Sequence, residues 1–174
     1  AEAFRFFETG YDMFSKQKVS GLIEALPNIQ EIAGRLEALI ASDSKSTVIE
    51  LAVLTSLWGN KMDLSLWPAS KAQSGNDKYI ESTERINEAL SSNKPYILDD
   101  HTEIVTKRLM KNIDKQAGSK GCVDIVVDNA GYELVSDMIL GHCLLRAGVC
   151  DKVRVHTKGH PTFVSDATNE DCLG

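Results

Sequence analysis

The hydrophobic pattern is densest at Val123-Asp124-Ile125-Val126-Val127, a nearly continuous β-branched run. It predicts a strand buried on both faces of a parallel sheet. The run stops at the polar elbow Asp128-Asn129-Ala130-Gly131, and helical spacing follows, with Leu134, Met138 and Leu145 on one side and Val135, Ile139 and His142 beside them. Gly148 suits the residue just past the end of that helix. The arrangement then repeats. Val153-Arg154-Val155-His156 alternates as a second strand, Lys158-Gly159-His160-Pro161 makes a turn, and Thr162-Phe163-Val164-Ser165 reads as a short strand ending on Asp166.

Upstream the period is helical. Residues 11–26 form an amphipathic pattern through Phe14, Leu22, Ile23 and Leu26, closed by Pro27, and residues 29–40 form a second through Ile32, Leu36, Leu39 and Ile40. Residues 47–58 have almost no polar face and predict a buried helix ended by Gly59. Residues 68–78 are polar and turn-rich, a short helix is expected over 83–90, and Pro95-Tyr96-Ile97-Leu98 reads as a strand running into Asp99-Asp100. A helix over 102–116 would place Ile104, Val105, Leu109 and Ile113 on one face. The expected fold is α/β: a helical N-terminal portion (1–66), a connector (67–78) and an α/β portion (79–174). The helical part would pack on a mostly parallel, three-layer sheet.

Composition narrows the function classes. A chain of 174 residues can bury a sizeable single core. The formal charge of −6 and the lack of a basic stripe argue against nucleic acid as a partner. No apolar run approaches the roughly 18 residues of a membrane span, so no membrane partner is expected. No signal peptide is visible, and the first residue is Ala, so a truncated start is expected. Cys122, Cys143, Cys150 and Cys172 lack CxxC spacing and lie in or beside apolar elements. They read as buried free thiols in a reducing, cytoplasmic setting, with a zinc site or a disulfide as the weaker reading.

The candidate chemistry sits at strand ends. Asp128 and Asn129 fall at the carboxyl end of a strand with a helix start behind them, which is where open α/β sheets bind ligands. Asp166 ends the next strand-like run, so three oxygen donors can converge. Carboxylates and an amide carbonyl suit a hard or borderline divalent cation such as magnesium or manganese. Lys158, close in sequence, would complete a phosphate-binding corner. The plainer reading makes Asp128 and Asn129 helix caps, but it accounts poorly for Asp166. Asn60 and Asp63 follow Gly59, where a left-handed terminating residue and a cap explain them as well. Asp137 is explained by the helix dipole; Glu133 lies one turn from Asn129 and is less easily dismissed. Asp99 and Asp100 read as a solvated turn, one of them capping the next helix. The four histidines show no HExxH spacing and read as structural or exposed, with only His160 near the proposed corner.

Four stretches together carry a resemblance. Asp128-Asn129-Ala130-Gly131-Tyr132-Glu133-Leu134-Val135-Ser136-Asp137 and Lys158-Gly159-His160-Pro161-Thr162-Phe163-Val164-Ser165-Asp166 are similar to the metal-dependent damage-control phosphatases. The closer likeness is to their sugar-phosphate phosphatase branch, also described as protein-glutamate carboxyl methyltransferases. Leu57-Trp58-Gly59-Asn60-Lys61-Met62-Asp63-Leu64-Ser65 and, more weakly, Asp12-Met13-Phe14-Ser15-Lys16-Gln17-Lys18 match in the family's order. The resemblance implies a phosphatase acting on a small phosphorylated metabolite, a sugar phosphate. It implies a divalent metal (manganese, nickel or cobalt, with magnesium also fitting) held by Asp128, Asn129 and Asp166. It also implies that Asp128 or Asp166 orients the attacking water, and that Asn60, Asp63, Lys158 and Glu133 lie on the substrate side. The family's domains run further past Asp171, so the chain is expected to be an internal piece with an incomplete pocket.

Three competing readings are weaker. A covalent aspartyl phosphatase needs a second Asp two residues after Asp128, where Ala130 stands. A short-chain dehydrogenase needs a Tyr-x-x-x-Lys pair, but Tyr11, Tyr79, Tyr96 and Tyr132 are followed four residues on by Ser15, Thr83, Asp100 and Ser136. An S-adenosylmethionine-dependent carboxyl methyltransferase needs a Gly-rich loop after a strand, and none is present. A non-catalytic α/β binding piece remains the further alternative.

Overall fold

The computed structural model describes residues 10–59, 97–161 and 164–173. In chain order the elements are α1 (Ser15–Ala41), α2 (Lys45–Gly59), α3 (Thr102–Met110), β1 (Cys122–Val126), α4 (Tyr132–Arg146), β2 (Lys152–His156) and α5 (Asn169–Leu173). β1 and β2 pair in parallel, with Cys122 opposite Lys152 and Val126 opposite His156. Parallel neighbours require a crossover, and α4 supplies it. The architecture is mixed helix and strand, a helical N-terminal part with a small parallel sheet, as the periodicity predicts.

α1 corrects one expectation. Pro27 does not close a helix there; it lies inside a single helix of 27 residues. Proline removes one ladder donor and normally breaks a helix interior. Here Pro27 faces solvent, and buried Gly21, Ala25, Asn28, Ile32 and Leu36 anchor the helix on both sides of it. Tertiary packing therefore outweighs the local cost. α2 behaves as its apolar sequence demands: Val48, Ile49, Leu51, Ala52 and Leu54 are all buried. Each large aliphatic side chain so enclosed is worth about 1.5–3 kcal/mol relative to exposure.

The sheet differs from the two-sided burial expected of Val123-Asp124-Ile125-Val126-Val127. Both strands alternate, exposed and half-buried. Val123, Ile125, Val153 and Val155 pack against buried apolar clusters, whereas Val126 is 81% exposed. Among the described residues only one face of this pair is covered, so the third layer is not seen there. Of the expected strand Pro95-Tyr96-Ile97-Leu98, Pro95 and Tyr96 lie outside the described residues, as do the connector 67–78 and the helix over 83–90. Ile97 and Leu98 are not in a strand, and Leu98 lies in an exposed bend. In α3 the expected apolar face is only partly inward. Ile104 and Val105 are exposed, Leu109 and Ile113 pack against the core, and Thr102 and Thr106 are buried instead. The helix also ends at Met110 and gives way to turns. Asp100 does cap it, its Oδ1 accepting the Thr102 amide at 2.9 Å.

The buried face of α4 is a second correction. Met138 and Leu145 are exposed, as is His142. The buried positions are Tyr132, Glu133, Leu134, Ser136, Asp137, Gly141, Cys143 and Leu144. This face takes small and polar residues because other elements come very close. A Cβ on Gly59 of α2 would lie 3.1 Å from Ser136 Cβ and 3.2 Å from Glu133 Cα; one on Gly141 would lie 3.2 Å from Val153 Cγ1. The C-terminus of α4 is as expected: Gly148 has φ of 74° and donates to Leu145, and Val149 donates to Leu144. All four cysteines are free; Cys143 and Cys150 are buried, but Cys122 is exposed. No helix among the described residues is long and apolar enough to cross a membrane.

Candidate functional site

The elbow after β1 is built on a small apolar floor. Val127, Ala130, Leu134 and Ala167 are buried together, with Ile125, Val155 and Cys172 packed against them. Above that floor the chain returns to itself. The Ala130 amide donates to the Ser165 carbonyl at 2.9 Å and the Ala167 amide to the Asp128 carbonyl at 2.6 Å, so that Asn129 and Asp166 form an isolated antiparallel bridge. On its other edge the Lys158 amide donates to the Ala167 carbonyl at 2.9 Å, and Lys158 bridges Thr168 in parallel. Residues 165–168 are thus threaded between the elbow and the turn after β2. The sequence suggests a short strand over Thr162-Phe163-Val164-Ser165 there; Val164 and Ser165 are irregular, and Thr162 and Phe163 lie outside the described residues.

Side chains follow the backbone. Asn129 is 3% exposed. Its Oδ1 accepts the Ser165 hydroxyl at 2.6 Å, and its Nδ2 donates to Glu133 Oε2 at 3.0 Å and Asp128 Oδ2 at 3.5 Å. The amide is therefore held in one orientation between Ser165 and two carboxylates. Lys158 Nζ donates to Asp166 Oδ2 at 2.8 Å, both side chains partly exposed. Asp128 is exposed at the rim. Asn60 and Asp63 lie outside the described residues, although Gly59, the residue before Asn60, is packed against Glu133. His160 is exposed on the adjoining turn.

Burial acts on two titratable groups of α4. Burial pushes the Asp137 carboxyl upward, against the hydrogen bond from Ser56. Burial likewise lifts the Tyr132 phenol to about 12. No three His, Cys, Asp or Glu side chains form a cluster that could hold a metal among the described residues. The donor set in question is instead two carboxylates and one amide, Asp128, Asp166 and Asn129. Its chemistry fits a hard divalent cation, since all three offer oxygen and a carbonyl oxygen already bonded to a hydroxyl keeps a second lone pair. The bridge and the Asn129–Asp128 contact make the three residues neighbours.

Sequence reasoning missed Ser165, Ser56 and Lys18. Ser165 falls in a stretch that carries the resemblance, but nothing in the pattern of an apparent strand assigns its hydroxyl to Asn129. Lys18 has a weak one: it falls three residues before Gly21 and seven before Ala25, on the stripe that α1 buries.

Comparison with known proteins agrees with the motifs. The model of the damage-control phosphatase ARMT1-like domain matches residues 1–173. The damage-control phosphatase ARMT1 of Danio rerio is 32% identical over 169 residues, covering 92% of this chain and 36% of that protein. Those of Xenopus laevis and Homo sapiens are 32% and 33% identical over 170 residues each, covering 92% of this chain and 37% and 36% of theirs. The chain thus spans little more than a third of the length of these curated relatives. A floor of small apolar residues, an elbow carrying Asp128 and Asn129, a returning segment carrying Asp166 and a match over 1–173 lead to one assignment: the chain belongs to the damage-control phosphatase ARMT1-like domain family.

Proposed function

We propose that this chain carries the metal-holding corner of a phosphatase that hydrolyses phosphomonoesters of small sugar phosphates. The observation that carries the reading is the Asn129–Asp166 bridge, which sets a second acidic segment against the strand-end Asp128-Asn129 pair. Asp128, Asn129 and Asp166 would hold one divalent cation: manganese, nickel, cobalt or magnesium. When bound, such a cation lowers the pKa of water and neutralises phosphoryl oxygens.

The chain's own residues supply the rest. Asp128 or Asp166 orients the attacking water, since a ligating carboxylate keeps a lone pair for that contact. Ala130, buried at the place where an aspartyl phosphatase keeps its acid, leaves water as the nucleophile. Lys158, already paired with Asp166, binds the substrate phosphate as a point charge. Glu133 fixes the Asn129 amide, and Glu133, Asn60 and Asp63 would serve as substrate-binding residues. The names of the relatives, all damage-control phosphatases, support this chemistry.

A phosphate-release screen against sugar phosphates on a full-length relative tests it; the chain alone, with an incomplete pocket, is expected to turn over weakly or not at all. Release that requires manganese, nickel or cobalt and is lost on chelation is expected. Metal-independent release, or methyl transfer from S-adenosylmethionine in its place, would overturn the reading.

A further inference from the structure

We propose that Lys18 is a positioning residue for this corner, acting on Asp166 through its main chain; the inference rests on the role given above to Asp166. Lys18 sits in the first turn of α1, and its side chain is 3% exposed. Its Nζ meets three oxygens: Asp12 Oδ2 at 2.7 Å, Asp171 Oδ2 at 2.8 Å and the carbonyl of Asp166 at 2.9 Å. An ammonium has three donors, so the set is complete.

The three acceptors come from three separate pieces of chain. Asp12 leads into α1, and its other oxygen accepts the Phe14 amide at 2.8 Å. Asp171 belongs to α5, and the same Oδ2 that meets Lys18 accepts both the amide and the hydroxyl of Thr168 at 2.8 Å. Burial disfavours the ionised form of Asp171, yet the Lys18 ammonium and the Thr168 donors outweigh it and hold its carboxyl below the ordinary value. Two carboxylates already satisfy the charge of a buried lysine. The third bond does something else: it grips the carbonyl of the residue whose carboxylate meets Lys158.

Asp166 is therefore held twice, at its main chain by Lys18 and at its side chain by Lys158. The elbow and the turn after β2 hold its neighbours Ser165 and Ala167, and Lys18 reaches in from the N-terminal helix. Without the ammonium, Asp12 and Asp171 repel across the gap and the Asp166 carbonyl loses this donor. The segment that carries one candidate ligand would then move relative to the elbow that carries the others.

The test compares the full chain with Lys18→Met and Asp12→Asn. Asp12→Asn weakens the ion cluster but leaves the bond to Asp166. Hydrogen exchange is read at the amides of Ala130, Lys158 and Ala167 and, as reference, at those of β1. For Lys18→Met the corner amides should exchange at least tenfold faster relative to β1, while Asp12→Asn shifts both sets together. A uniform shift in Lys18→Met, or unchanged corner amides, overturns the proposal. If Lys18→Met does not fold, Lys18→Arg takes its place under the same two criteria: it keeps the charge, but a planar fork cannot serve three separated oxygens as an ammonium does. A manganese titration adds a second readout, with about tenfold weaker binding expected for the Lys18 variant and not for Asp12→Asn. No manganese binding to the unaltered chain would sink the metal reading and leave the exchange result to decide the role of Lys18.

Discussion

The hydroxyl of Ser56 donates to Asp137 Oδ1 at 2.5 Å, joining the last turn of α2 to the second turn of α4 beneath the candidate site. The carboxyl is buried and raised above its ordinary 3.8, so the fold disfavours its ionised form. Ser56→Ala removes this donor and should cost about 1–3 kcal/mol, measured by urea denaturation near neutral pH. Between the ordinary carboxylate value and the raised one, the folded state binds more protons than the unfolded state. Stability contributed by this group therefore falls as pH rises through that window. Asp137→Asn should flatten that fall, and a stability curve unchanged from about pH 4 upward would show that Asp137 does not titrate there.

Close backbone approach makes a second prediction, with an internal control. Gly59→Ala sets a methyl 3.2 Å from Glu133 Cα, a main-chain atom that cannot step aside. It should destabilise by about 1–3 kcal/mol. A methyl at Gly34, in the middle of α1, would meet nothing within 4 Å. Gly34→Ala should therefore stabilise by about 0.5–1 kcal/mol through helix propensity alone. Thermal melts that move in the same direction for both would contradict the packing of α2 on α4.

Local pattern is enough to place β1, β2, α2 and α4 along the chain, where a β-branched run or alternation, or a helical apolar pattern, is strong. It fails where tertiary context decides. Pro27 ends a helix in any local reading, yet buried Ala25 and Ile32 hold α1 together across it. Apolar spacing gives the inward face of α4 to Met138 and Leu145. Close contact with Gly59 gives that face to Ser136 and Glu133, which no periodicity reveals. At the site, Asp128, Asn129 and Asp166 are legible as strand-end oxygens. The backbone bridge that makes Asn129 and Asp166 neighbours joins positions 37 residues apart. That Lys18 meets Asp171, 153 residues away, is beyond local reasoning.

Lys158 offers the most direct test of the substrate side. Lys158→Met removes the ammonium that meets Asp166 Oδ2 and leaves the backbone bridge to Thr168 in place. In phosphate-release assays with the change made at the matching position of a full-length relative, KM for a sugar phosphate should rise about tenfold or more. That corresponds to about 1.4 kcal/mol of lost binding. Lys158→Arg, which keeps the charge, should recover part of it. Equal kinetics for all three proteins would return Lys158 to an ordinary turn residue.

Asn129 separates a structural amide from a cation ligand. Its Nδ2 donates to Glu133 and Asp128 while Ser165 donates to its Oδ1. Asn129→Asp deletes both donations and sets a third carboxylate against two others, which should cost about 3 kcal/mol in metal-free buffer. A bound divalent cation reverses the sign of that change, because the added charge then faces a cation. Manganese at roughly a hundredfold excess over its Kd adds about 2.7 kcal/mol to any protein that binds it only when folded, so Asn129→Asp should regain most of its loss. Asn129→Leu, which removes the same donors and offers no oxygen, should be destabilised and stay so. Melting curves with and without manganese distinguish the cases. If manganese rescues neither variant, Asn129 is a structural amide that joins Ser165 to Glu133, and the cation does not sit beside it.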